Sequence, residues 1–270
     1  MRTNTEVDEW FASWFDTPYY HILYRDRGYE EARAFMQRLT ASLQLEKGAR
    51  IMDLACGRGR HSLFLNTLGY DVTGVDLSPS SIAFAKATLR EATQSNANTG
   101  ENNATIANLN AANIRFDVHN MTVPYHQQFD VVFNLFTSFG YFEDEVDNLN
   151  TIIAIKKNLY DNGRAVIDFM NAPKVIENLV PQDTKTEEDI TFHQKRYVEN
   201  DHIYKEITFT DGGRDYKFTE RVHALTLKQF QSYFEKAGLQ LTACYGDYNL
   251  TPYNAETSDR LIMVLSKETE

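Results

Sequence analysis

Ile51-Met52-Asp53-Leu54-Ala55-Cys56-Gly57-Arg58-Gly59-Arg60 is the stretch that decides the fold. A short apolar run enters a glycine-rich turn, and Leu63, Phe64 and Leu68 then continue at helical spacing. A strand that ends in glycines and opens a helix leaves free N–H groups at the helix start. It also lets a ligand come close to the backbone. Asp76 ends the next apolar stretch, 71–76, and lies 17 residues beyond Gly59. An acid at the end of a second strand, about 20 residues beyond such a loop, is placed to accept hydrogen bonds from ribose hydroxyls. The two features in register carry more than either alone, because Gly-x-Gly is common in ordinary turns.

Working outward, the pattern alternates. Ser78 can cap a helix with Pro79 in its first turn, and Ile82, Phe84, Ala85 and Leu89 give that helix one apolar face. Strands are predicted at 114–118, at 129–135 and at 164–169, with a helix over 143–160 closed by Asp161-Asn162-Gly163. Upstream, 30–45 reads as a helix. Strand and helix in alternation predict a doubly wound, mostly parallel sheet with helices on both faces. The Asn-, Ala- and Thr-rich stretch 93–113 reads as a surface-loop insertion, or as a polar continuation of the preceding helix.

The alternation then changes. Residues 189–198, 202–210 and 214–224 read as three consecutive strands, with hairpin chemistry at Asn200-Asp201 and Asp211-Gly212-Gly213. They predict an antiparallel insert attached to the main sheet, while Asp183 to Asp189 reads as a solvated charged surface. Thr226 and Gln229 form a capping box for a helix ending at Gly238. The closing strands, 239–247 and 260–266, are joined by too short a loop to hold a crossover helix, so they form an antiparallel pair.

Two ligand classes suit the glycine-rich loop. A dinucleotide would set its pyrophosphate at the helix start, but Ser62 stands where a third glycine is usual and Asp53 would repel phosphate. A carboxylate there suits a ligand with an ammonium or sulfonium charge. Asp53-Leu54-Ala55-Cys56-Gly57-Arg58-Gly59, with Asp76, resembles motifs I and II of the class I S-adenosylmethionine-dependent methyltransferases, with Ala55 in place of the first glycine. The resemblance covers roughly 30–171 and 225–267. It implies a seven-stranded Rossmann-like methyltransferase fold and S-adenosylmethionine as cofactor. The cofactor contacts it implies fall on Asp53, Ala55, Cys56, Gly57, Gly59, His61, Asp76 and Leu77, then on Asp117 and Val118 near the adenine. Asn134, Leu135 and Phe136 follow the fourth strand, where such enzymes hold the methionine part.

The start of the chain is dense in aromatics, Trp10, Phe11, Trp14, Phe15, Tyr19, Tyr20 and Tyr24, and reads as short helices broken at Pro18. These residues are either core or a lid over a cationic cofactor. Tyr20, His21 and Tyr24 are the site candidates there, with His21 a general base if its pKa is near neutral. His223 is a weaker candidate on the insert. The expected organisation is a lid at 1–29, a cofactor-binding domain at 30–171 and 225–270, and an antiparallel β insert at 172–224 that covers substrate or pairs subunits in a homodimer.

Composition narrows the function. The net charge of −11 argues against a nucleic-acid partner, which leans on a positive field. The sequence after the fourth strand, Asn134-Leu135-Phe136-Thr137, lacks the Pro-Pro of methyltransferases that act on exocyclic base amines. The acidic start (Glu6, Asp8, Glu9) is unlike a signal peptide, and no apolar run suits a membrane span. Two cysteines fit a reducing cytoplasm and support neither a disulfide scaffold nor a cysteine-built metal site. The expectation is methyl transfer to a small-molecule amine, hydroxyl or carboxylate, without a metal. A nicotinamide-dependent dehydrogenase and a non-catalytic, S-adenosylmethionine-binding interaction protein are the alternatives.

Overall fold

The computed structural model describes residues 10–25, 29–95 and 108–268. Helices α1 (Trp10–Phe15) and α2 (Pro18–Leu23) come first; Thr17 caps α2 by accepting the Tyr20 amide, with Pro18 in the first turn. Helix α3 (Tyr29–Ser42) leads into β1 (Arg50–Leu54), α4 (Arg60–Thr67), β2 (Asp71–Asp76) and α5 (Pro79–Ser95). Strands β3 (Ile114–Val118) and β4 (Phe129–Asn134), helix α6 (Glu145–Lys157) and β5 (Leu159–Met170) complete the alternating part. Of the stretch 93–113, the helix takes the first three residues, and most of the remainder lies outside the described residues.

Two boundaries differ from the sequence reading. Helix α6 stops at Lys157, and Asp161-Asn162-Gly163 lies inside β5, where the pairing with β4 jumps from Phe129↔Leu159 to Val131↔Arg164. The turn residues make a bulge rather than a helix stop.

Strands β1 to β5 are parallel. After α7 (Ala172–Glu177) come β6 (Gln182–Glu187), β7 (Ile190–Glu199), β8 (His202–Asp211) and β9 (Arg214–His223), then α8 (Leu227–Ala237), β10 (Leu239–Tyr245) and β11 (Arg260–Lys267). The main sheet has the order β10-β11-β5-β4-β1-β2-β3, with β11 antiparallel to both neighbours. The closing pair is as predicted, and the α8 capping box between Thr226 and Gln229 is present.

The insert is larger than expected. It forms its own four-stranded antiparallel sheet, β6-β7-β8-β9, not an extension of the main one. The missed strand, β6, is the polar Gln182–Glu187, a charged edge strand of the kind that discourages edge-to-edge pairing. It turns into β7 through Glu188 and Asp189, both at positive φ (47° and 68°) without the usual Asn-Gly signal.

Among the described residues, three apolar clusters hold the fold together. On one face of the main sheet, Ile152 and Ile155 of α6 and Phe230, Tyr233 and Phe234 of α8 pack on strand residues such as Met52 and Ile167. On the other face lie Phe35, Met36 and Leu39 of α3, Leu65 of α4 and Ile82 and Ala85 of α5. The third cluster joins Trp14 and Leu23 of α1 and α2 to Ile190, Phe192, Ile207 and Phe209 of the insert. Because β1 neighbours both β2 and β4, the strand order reverses at its C-terminal end, where ligands of open α/β sheets bind.

Candidate cofactor and acceptor site

The turn after β1 is built for close approach. Ala55, Gly57 and Gly59 all have positive φ (63°, 55° and 75°). At Gly57 a Cβ would meet nothing within 4 Å, whereas at Gly59 it would come within 2.5 Å of the Phe116 ring. Gly57 therefore leaves the cavity side of the loop bare, and Gly59 lets the start of α4 pack on β3.

Asp76 closes this turn. Its carboxylate accepts the Gly57 amide at 2.7 Å and the Ser78 amide at 2.9 Å. Asp53 is buried and accepts the Ser62 hydroxyl at 2.6 Å. Burial, and then the hydrogen bond and neighbouring Asp76, leave its pKa pushed up to about 6. Burial pushes Asp76 up as well. Among the described residues neither acid forms an ion pair.

Both acids line a cavity of about 220 Å³. Its floor includes Ala55, Cys56, Gly57, His61, Leu77, Leu135 and Phe136, and its cover includes Phe11, Phe15, Tyr20 and His21. So the aromatic start of the chain is both things at once: Trp14 and Leu23 are core against the insert, and Phe15 and Tyr20 face the cavity. Asp16 ties this cover down by accepting the Ser78 and Ser80 hydroxyls at the start of α5.

Several candidates lie elsewhere. Asp117 and Val118 end β3 outside the cavity wall, and Asp117 accepts the Tyr125 hydroxyl at 2.7 Å; the cavity is instead lined by the next residues, His119, Asn120 and Met121. Tyr24 points to the insert, donating to Glu220 at 2.7 Å and accepting from Lys205 at 2.6 Å. Asn134 is buried and ties the Leu54 and Ser138 carbonyls together. His223 bonds the Gly140 carbonyl through its amide at 2.8 Å and lines neither cavity described here. His21 reaches the cavity, and burial and then Arg58 push its pKa down to about 4, below the near-neutral range that a general base would use. Its Nε2 is buried without a partner among the described residues. Burial raises the Cys56 thiol, consistent with a small loop residue and not a reactive one.

Sequence reasoning missed the support beneath Phe136. Phe136 and Thr137 both sit at positive φ (59° and 61°), an unfavourable backbone for such residues. Buried Asp168 of β5 holds them: its Oδ2 accepts the Phe136 amide at 2.8 Å, and its carbonyl accepts the Thr137 amide at 3.0 Å. Arg260 of β11 pairs with Asp168 at 2.7 Å and donates to the Thr137 hydroxyl at 2.9 Å. An acid amid Val166-Ile167-Phe169, and an arginine opening Leu261-Ile262-Met263, were the available signals.

Phe136 stacks on His61, with ring centroids 4.4 Å apart. The Arg60 guanidinium lies 2.9 Å from His61 Nε2. With Phe15, Tyr20 and Tyr141, these two rings border a second cavity of about 470 Å³, which also takes in Trp10, Glu31, Arg60, Thr137, Glu220, Tyr248 and Arg260. The molecule thus has two adjoining chambers with an aromatic wall between them. Among the described residues no group of three or more metal-ligating side chains is close enough to hold an ion.

The first chamber fits S-adenosylmethionine. Two buried carboxylates without cationic partners, a glycine loop and a ring of aromatic faces match an ammonium, a ribose and a sulfonium. The family model of the tellurite resistance protein TehB matches residues 21–133. A Geobacillus sp. (strain WCH70) protein named as a methyltransferase is 26% identical over 96% of this chain and 99% of its own. An S-adenosylmethionine-dependent methyltransferase structure from Clostridium acetobutylicum superposes with a TM-score of 0.74 at 17% identity, covering 93% of this chain and 96% of that one. The sugar N-methyltransferase KedS8 from Streptoalloteichus superposes at 0.65 and 19%, covering 92% and 93%. The antiparallel β11 beside β5 and the loop after β1 give the chain the fold of class I S-adenosylmethionine-dependent methyltransferases, and it is similar to enzymes of that kind along nearly its whole length.

Proposed function

We propose that this enzyme transfers a methyl group to a nitrogen or oxygen of a small molecule held in the second chamber. The observation that carries this reading is the pair of adjoining cavities that share Phe15, Tyr20, His61, Phe136 and Tyr141 as a common wall. S-adenosylmethionine supplies the methyl and leaves as a neutral thioether, so no general acid is needed. In this reading Asp76 keeps lone pairs for the two ribose hydroxyls beyond the Gly57 and Ser78 amides. Asp53 faces the ammonium, directly or through water. Aromatic faces at the shared wall favour positive charge and exclude water.

What remains for the protein is alignment. Holding reactants in line lowers a barrier by about 7–11 kcal/mol. The strained Phe136-Thr137 turn, fixed by Asp168 and Arg260, is the rigid element that sets this alignment. His21 lines the first chamber and not the second, so in this reading it bounds the cofactor and takes no proton from the acceptor.

The cover formed by α1, α2 and the insert bounds the chamber and favours a small acceptor over a polymer. The net charge of −11 also works against a polyanionic one. KedS8 is a sugar N-methyltransferase, and an amino sugar is one acceptor of suitable size. The test is transfer of labelled methyl to a panel of small amines, hydroxy compounds and acids, with bulk tRNA beside them. Transfer to a small molecule is expected; efficient transfer to tRNA alone would sink this reading.

A further inference from the structure

Resting on the first chamber being the cofactor site, we propose that the second chamber takes an acceptor carrying an anionic oxygen group, a carboxylate or a phosphate, and that Arg260 binds that group. Arg260 has hydrogen-bonding capacity that the described residues leave unused. Arg260 spends Nε and Nη2 on Asp168 Oδ1, at 2.8 and 2.7 Å, and Nη2 also donates to Thr137. Nη1 has no hydrogen-bond partner among the described residues, although its side chain is only 19% exposed and lines the chamber. A guanidinium presents two bidentate edges. Asp168 takes the Nε–Nη2 edge and Thr137 takes the other Nη2 proton, so the two N–H groups of Nη1 remain.

Two acids in or beside the chamber, Asp168 and Glu220, are already engaged. Asp168 accepts from Arg260, the Phe136 amide and the Tyr248 hydroxyl. Glu220 accepts Trp14 Nε1 at 2.8 Å and the Tyr24 hydroxyl, with Lys205 4.0 Å away. Glu31 also lines the chamber but is solvent-exposed. Arg60 adds a second positive charge to the wall. The unspent capacity deep in the chamber is therefore for donation, and an anionic oxygen is what it fits.

Position limits the acceptor's length. Arg260 touches Thr137, whose neighbour Phe136 belongs to the wall shared with the cofactor chamber. A group on Nη1 thus sits close to the transfer point, as in an amine a few atoms away from its own carboxylate or phosphate.

The test uses matched pairs of amines, glycine with glycinamide and phosphoethanolamine with ethanolamine, as acceptors of labelled methyl and as ligands of the enzyme saturated with S-adenosylhomocysteine. Wild type is expected to favour the anionic member of at least one pair by about tenfold or more. The pair that responds separates carboxylate from phosphate. Arg260→Lys, which keeps the charge but loses the fork, is expected to cut that preference severalfold. The double variant Arg260→Gln/Asp168→Asn, which strands no buried charge, is expected to abolish it. The preference is read as a ratio within each matched pair, so a shift of the Phe136-Thr137 turn that weakens S-adenosylhomocysteine or slows transfer lowers both members alike and leaves the ratio informative. No anionic preference in wild type, or one that survives in the double variant, overturns the proposal while leaving the cofactor reading intact. Failure of wild type to bind S-adenosylhomocysteine would instead remove the cofactor reading, and this proposal with it.

Discussion

The amide of Gly57 donates to the carboxylate of Asp76 at 2.7 Å, so the acid that ends β2 also closes the turn that ends β1. One side chain shapes the loop and offers its remaining lone pairs to the ligand. Asp76→Ala is therefore expected to lower affinity for S-adenosylmethionine and S-adenosylhomocysteine by about 100-fold or more, since each charge-assisted hydrogen bond is worth about 1.5–3 kcal/mol. Titration calorimetry measures this, with NADH as control. Unchanged affinity would refute the ribose role.

Asp53 carries a pH signature. Its folded pKa of about 6 lies above the ordinary 3.8, so between those values the folded protein holds a proton that the unfolded chain has released. Stability of the ligand-free enzyme should fall as pH rises from about 4 to about 6, and the contribution should level off beyond that. Asp53→Asn should be more stable than wild type at pH 7, by on the order of 2 kcal/mol. A ligand ammonium beside Asp53 reverses the preference, so binding near pH 6 should release a proton. Calorimetry in buffers of different ionisation enthalpy reads that release, and its absence would place the ammonium elsewhere.

The two loop glycines should respond differently to alanine. Gly59→Ala drives a methyl into the Phe116 ring at a positive φ, and a loss of about 2–4 kcal/mol is expected. Gly57→Ala meets open space and strains only the backbone, for about 1 kcal/mol, but places a methyl beside the cofactor cavity. Thermal melting should thus single out Gly59, and ligand affinity should single out Gly57. Equal melting temperatures would contradict this division.

With its pKa pushed down to about 4, His21 stays neutral across the working range. Its titration should leave no inflection in kcat between pH 6 and 8. If wild type shows an inflection near pH 6.5 that His21→Gln removes, the burial argument is wrong and His21 is a conventional base.

Glu220 latches the cover by accepting both Trp14 Nε1 and the Tyr24 hydroxyl. Glu220→Ala leaves the buried indole N–H unpaired, at a cost of about 1–3 kcal/mol. Amide exchange should accelerate across 10–25 and in β9, with β1, β4 and β5 unaffected. Acceleration spread evenly over the main sheet would mean that cover and core open together.

The main sheet was legible because its signals are local. Apolar runs, Gly57, Gly59 and Asp76 occur in order within one short stretch, and Thr226 with Gln229 announces its helix. Strand β6 was not legible, because an edge strand lacks apolar alternation and its turn, Glu188-Asp189, is the wrong chemistry for the shape it adopts. Asp117 and Asn134 were sound candidates by position. Which way a strand-end residue turns is decided by distant partners, Tyr125 in one case and Leu54 and Ser138 in the other. Arg260 and Asp168 escaped for the same reason, being 92 residues apart and meaningful only as a pair.

The cover has an apolar cluster of its own, in which Trp14 and Leu23 interlock with Phe192, Ile207 and Phe209 from the insert. Two segments about two hundred residues apart in the chain are therefore one packing unit. A relative that exchanged its insert without changing the opening helices would expose the groove that Trp14 fills. Diversification toward new acceptors must then proceed by joint change of both segments, while the methyl-donor half beneath them stays as it is.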